Sequence, residues 1–181
     1  MRNFRKGLLE GVGSINKVKR ISFLGIMLAI IMVLGILEHM IPPLPLMPPS
    51  VKLGLSNIVT MYCVFFVGKK EAVLLAVLKS CFVFLIRGAM AGGLSLCGGL
   101  LSLAVILLLD RTFKQKISYT ILSISGAISH NIGQLLAVSV ILNSNFIFYY
   151  LPVLLVSGIV MGIITGTLLK VVMPVFNNIL K

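Results

Sequence analysis

The sequence predicts an all-α polytopic membrane protein of six transmembrane helices with both termini cytoplasmic, and three observations carry that reading. Six stretches are each apolar over close to the about 20 residues that a spanning helix needs. Hydrophobic residues make up 59% of the 181 and charged residues only 11%, at a mean hydropathy of +1.13, which leaves little chain to surface a soluble domain. The basic residues, finally, fall almost entirely on one side of the spans.

Taken in order, residues 1–20 form a basic cytoplasmic segment, 21–173 the six-helix membrane domain and 174–181 a short cytoplasmic tail. Phe4, Leu8, Val12 and Ile15 recur at helical spacing among basic residues, the pattern of a helix lying on the inner membrane surface, which Gly7, Gly11 and Gly13 weaken. Span one, Ile21 to Ile41, has no small-residue cleavage site near its end and is read as an uncleaved signal anchor. Pro42, Pro43, Pro45, Pro48 and Pro49 then end the helix and stiffen an outer loop, a lid or rim.

Span two runs from Leu53 to Gly68, and span three from Ala72 to Ala89. A turn from Gly88 to Gly93 leads into span four, Gly92 to Leu109, whose Gly92, Gly93, Gly98 and Gly99 either unwind the helix start or let another helix approach closely. Span five is Tyr119 to Leu142. Span six, Phe146 to Val172, carries Gly158, Gly162 and Gly166 four apart on one face, a tight packing surface.

Arg2, Arg5, Lys6, Lys17, Lys19, Arg20, Lys69, Lys70, Arg111, Lys114, Lys116, Lys170 and Lys181 all lie on one side of these spans, thirteen of the sixteen basic residues. Short Lys/Arg-rich loops stay cytoplasmic, so both termini are placed inside a plasma membrane. In a soluble protein the formal charge of +12 would point to nucleic acid. Here its placement points to anionic lipid headgroups instead, and nucleic acid is not expected as a partner.

The remaining three, Lys52, Lys79 and Arg87, belong to a small polar set at or near membrane depth with Glu38, Asn57, Ser129, His130, Asn131 and Gln134. A charge near the bilayer centre costs about 2.5–3.5 kcal/mol on insertion scales, so such a residue faces a cavity, pairs, or snorkels outward. Lys79 and Arg87 stand eight apart, about 12 Å along a helix. Either they line one cavity at two levels, or Arg87 reaches the outer headgroups and Lys79 snorkels inward or pairs with Glu38 or a backbone carbonyl. The run from Gly126 to Gln134 is the most polar mid-span segment; its side chains bind a ligand or hydrogen-bond between helices. A shared cavity would hold more positive than negative charge. It would then suit a phosphate, diphosphate or carboxylate headgroup with an apolar remainder. That arrangement expects Arg87→Ala and Asn131→Ala to abolish binding in a folded protein.

Cys63, Cys81 and Cys97 lack metal-site spacing and are expected as free, buried thiols, and the two histidines, His39 and His130, have no ligand set around them; no metal and no cofactor is expected. No GxxxxGK[ST], HExxH or GxSxG occurs, and Asp110 is the single aspartate, so neither nucleotide hydrolysis nor magnesium-diphosphate chemistry is expected of this chain alone and no catalytic residue is named. Ser22, Gly25 and Ala29 form a small-residue face on span one, either a docking surface or an internal contact.

Three segments, PPSVKLGLSNI from Pro48 to Ile58, LSLCGGLLSL from Leu94 to Leu103 and GAISHNIGQL from Gly126 to Leu135, resemble the Gx transporter family, also labelled heptaprenyl diphosphate synthase component I. That family is similar to the substrate-binding S components of energy-coupling factor (ECF) transporters. The resemblance implies a non-enzymatic membrane subunit that binds a small anionic nutrient or cofactor precursor and docks on an ECF coupling subunit with two ATPases. Gly25 and Ala29 occupy spacing comparable to the docking motif of S components, with glycine in place of the usual first alanine. The synthase label implies the alternative, a membrane component linked to prenyl diphosphate and menaquinone synthesis. Relatives that partner quinone- or flavin-based extracytosolic electron transfer imply a further one.

Overall fold

The computed structural model describes residues 17–40, 56–113, 117–143 and 145–179. These are all helical or in short turns, with no strand among them. Helix α1 is Lys17–Met40, α2 Ser56–Phe66, α3 Lys69–Thr112, α4 Tyr119–Leu142 and α5 Leu151–Ile179, the last preceded by a 3₁₀ turn, Asn145–Tyr150. The surface helix expected before residue 17, the proline-rich loop and Lys52 lie outside the described residues.

Four of these helices are long and apolar enough to cross a membrane. Their outer faces carry exposed side chains such as Leu85, Val140, Val156 and Val171, a continuous apolar surface that water would not tolerate and lipid does. The chain is therefore a membrane protein.

Spans three and four appear as the two arms of α3. At Gly88 the backbone turns to φ 86° and ψ 175°, a conformation open essentially to glycine alone. Past that residue the chain runs back along itself. Ser95 lies opposite Ser80, with hydroxyls 3.4 Å apart, and Gly92 opposite Phe84. The turn thus needs one residue, where the sequence reading allowed six. Gly92, Gly93, Gly98 and Gly99 keep helical geometry and do not unwind. Gly92 and Gly98 act as contact points: a Cβ on Gly92 would sit 2.6 Å from that of Phe84. Nothing crowds a Cβ at Gly88. Gly88→Ala is accordingly expected to cost about 1–3 kcal/mol through backbone strain alone, read as a lower midpoint of unfolding in detergent.

Helix α2 is described from Ser56, so the start expected at Leu53 lies outside the described residues; the helix ends where Val67 and Gly68 both donate to the carbonyl of Cys63. Helix α4 has the predicted bounds. Ser118 caps its start by accepting from the N–H of Thr120, and Asn143 closes its end in the left-handed conformation, donating to the carbonyl of Ser139. Helix α5 starts later than expected because a 3₁₀ turn occupies residues 145–150 and Pro152 suits a first helical turn. It also runs on to Ile179, past the expected end at Val172.

Glycine sets the packing of the last three helical segments. Along α5, Gly158, Gly162 and Gly166 lie on Ile128, Ile124 and Thr120 of α4 in antiparallel register. On the other side of α4, Gly133 meets Gly98 of α3 and Gly126 meets Ile106. Such close approach replaces the hydrophobic effect, which lipid does not supply between helices. Against this block, α2 buries Tyr62, Cys63 and Phe65, with Met27 and Ile31 of α1 and Leu75 of α3 around them; Phe65 meets Tyr119 edge-on at 5.1 Å.

Of the three free cysteines Cys63 is buried as expected, whereas Cys81 and Cys97 lie exposed on the outer surface, where a soft apolar side chain costs nothing in lipid. An Arg20–Glu71 ion pair ties α1 to the start of α3. Antiparallel packing puts Lys69, Lys70, Arg111 and Lys170 at that same end of the bundle.

Candidate functional site

Two connected cavities lie inside the bundle. The inner one, about 40 Å³, is walled by α2, both arms of α3, α4 and α5; the outer one, about 100 Å³, lies between α1, α2, α3 and α4. Asn57, Lys79, Ser95 and His130 line both, so these four residues form the waist between them.

The depth of the waist follows from the chain. Lys79 stands ten residues after Lys69, about 15 Å along the first arm of α3 and thus near mid-membrane. Asn57 stands at that level in the first described turn of α2, where it lines both cavities. There the Lys79 ammonium donates to Oδ1 of Asn57 at 2.6 Å, which orients the amide and holds the cation in place.

His130 enters from α4 where Gly98 makes room. A Cβ at Gly98 would lie 2.9 Å from Cε1 and Nδ1 of His130 and 2.9 Å from Cγ of Gln134. Oγ1 of Thr60, which lines the inner cavity from α2, is buried with no hydrogen-bond partner among the described residues, and Nδ1 of His130 is buried beside the backbone of Gly98 without a bond of good geometry. Buried polar atoms are nearly always satisfied, so these two require water or a ligand group in the cavity they face.

Glu38, Arg87 and Gln134 line the outer cavity and Asn131 the inner one. Of the nine residues read from the sequence, seven thus reach the two hollows. Lys52 lies outside the described residues, and Ser129 lines neither cavity: its hydroxyl donates back to the carbonyl of Ser125, one turn earlier in α4. Arg87 is exposed at the rim, next to the Gly88 turn, so the two alternatives offered for it coincide in one position.

Asn131 is committed elsewhere. Its amide donates to the carbonyl of Leu154 at 2.9 Å and stands 3.4 Å from the hydroxyl of Ser157, so it joins α4 to α5. Asn131→Ala thus removes a tie between α4 and α5 together with a group that lines the inner cavity, and is expected to lose about 0.6–1.7 kcal/mol of stability, the range of interhelical hydrogen bonds in membranes, measured by denaturation in mixed micelles.

Hydroxyls went unnoticed in the sequence. Thr60, Ser95, Ser102, Ser123 and Thr165 line the inner cavity, and the Ser123 and Thr165 hydroxyls bond to each other at 2.5 Å between α4 and α5. Ser22, Gly25 and Ala29 are exposed on α1, with open space around a Cβ at Gly25.

A family model described as heptaprenyl diphosphate synthase component I matches residues 27–172, which include part or all of every described helix and all the cavity residues named above. No curated protein and no solved structure matches the chain.

Proposed function

The chain belongs to the heptaprenyl diphosphate synthase component I family, and we propose that within it the protein is a substrate-binding membrane subunit that captures a small anionic or amphipathic molecule. The observation that carries this reading is the waist: a lysine ammonium held at mid-membrane by Asn57, with the unpartnered atoms of His130 and Thr60 nearby. A structural anchor has no use for a mid-membrane cation beside unsatisfied polar atoms, whereas a binding site for an anion requires such groups.

In this reading the two arms of α3 count as separate spans and α2 as a partial one, giving six crossings over residues 21–173. The basic end faces the cytoplasm and Arg87 faces out, in the cell membrane. Uptake would draw on a separate ECF-type module of coupling subunit and ATPases, since the chain has no nucleotide-binding loop, and the exposed Ser22, Gly25 and Ala29 face would dock on it.

The family description favours a second reading, a membrane component of prenyl diphosphate and menaquinone synthesis. The outer cavity fits this chemistry too, for it combines cations with the apolar walls of Ile31, Phe82 and Leu94. Catalysis would then reside in another subunit. Affinity purification in mild detergent separates the two. Uptake expects an ATPase pair and a coupling subunit to copurify and to be lost in Gly25→Leu; copurification of a soluble prenyltransferase, unaffected by Gly25→Leu, establishes the second reading.

A further inference from the structure

The outer cavity is bounded on one side by the gap between α1 and the first arm of α3. Gly35 and Ile36 contribute from α1, and Val83, Ile86 and Arg87 from α3. Ile36 and Ile86 line the cavity and yet are 46% and 54% exposed, so they form its rim at the outer surface of the bundle. Beside Ile36, Gly35 leaves a notch in the cavity lining: a Cβ there would meet nothing within 4 Å. These rim residues belong to apolar helix faces, so the notch opens toward lipid.

The charges are graded along the same route. Arg87 is exposed at the rim, and Lys79 lies two turns deeper, about 12 Å along α3. An anionic headgroup can pass from the first cation to the second. The cavity takes a headgroup at its polar end, and its apolar rim at Ile36 and Ile86 is exposed, so a chain attached to that headgroup can extend into lipid.

We propose that the ligand is a single-chain amphiphile with a phosphate-class headgroup, which enters sideways from the bilayer through the notch at Gly35 and leaves its chain in lipid while the headgroup binds at Lys79. The proposal rests on the binding-site reading above and adds the route, the ligand class and Gly35 as the residue that admits the chain.

The test uses the full chain in lipid nanodiscs, with dodecyl phosphate and methyl phosphate as probes. Because the notch is empty around Gly35, Gly35→Phe is expected to fold normally and fill it. Dodecyl phosphate should then lose at least 10-fold more affinity, relative to the wild type, than methyl phosphate does. Equal binding of dodecyl phosphate to both proteins, or equal weakening of both probes, overturns the lateral route and leaves the site intact. Wild type that binds neither phosphate overturns the site and the route together.

Photo-crosslinking of the wild type does not depend on that variant's folding. An alkyl phosphate with a diazirine at its chain end should label α1 and the first arm of α3 near Ile36 and Ile86. Labelling at Met61 or Met161 in the inner cavity would place the chain inside the bundle and overturn the proposal.

Discussion

Lys79→Met is expected to weaken anion binding about 100-fold or more, because truncating one partner of a buried charge pair costs about 2–5 kcal/mol. The same substitution should not weaken the fold. Methionine keeps much of the length of the side chain and removes a charge whose insertion at mid-membrane costs about 2.5–3.5 kcal/mol. That saving offsets the loss of the 2.6 Å bond to Asn57, an interaction between helices worth about 0.6–1.7 kcal/mol. Binding and stability therefore move apart, which a purely structural lysine would not produce. Isothermal titration in detergent with a denaturation curve on the same sample checks both.

Gly162→Leu should give the largest loss of stability. A Cβ at Gly162 would overlap Cα of Ile124 and lie 2.9 Å from its backbone nitrogen, so only movement of α4 or α5 could relieve the clash. The cost is expected at or above the top of the about 1–3 kcal/mol range for overpacking, enough to lower folded yield sharply. Gly158 makes a useful contrast on the same face. Its Cβ would stand 3.2 Å from Ile128, a distance that a few tenths of an ångström would relieve, so Gly158→Ala should cost much less. Equal unfolding midpoints for Gly162→Leu and the wild type would contradict the packing described for α4 and α5.

The apolar framework was readable where hydropathy and local backbone signals agree. Helix α4 has the predicted bounds because Ser118 and Asn143 punctuate an otherwise apolar run. The turn at Gly88 was placed too broadly, since a cluster of glycines does not reveal which member takes a positive φ. The late start of α5 was missed because Phe148, Tyr149 and Tyr150 are as apolar in a 3₁₀ turn as in a helix.

A similar division holds in the site. Glu38, Asn57, Lys79, Arg87, His130 and Gln134 were legible because each is costly in hydrocarbon and needs a reason to be there. Thr60, Ser95, Ser102, Ser123 and Thr165 were not, because a hydroxyl in a helix can satisfy itself on the carbonyl one turn back. Ser80 does this on Ala76 and Thr167 on Ile163, so a membrane serine or threonine does not by itself announce a cavity. Gly35 is visible only in three dimensions, since in sequence it reads like any other small residue in a spanning helix.

The central claim, that the intramembrane waist binds an anion, is tested most directly by native mass spectrometry of the protein purified in mild detergent beside Lys79→Met. The account expects a copurifying anionic molecule on the wild type and its absence from a folded Lys79→Met. Its retention by both proteins, or a wild type that carries no anion and gains none from added alkyl phosphate, would contradict the account.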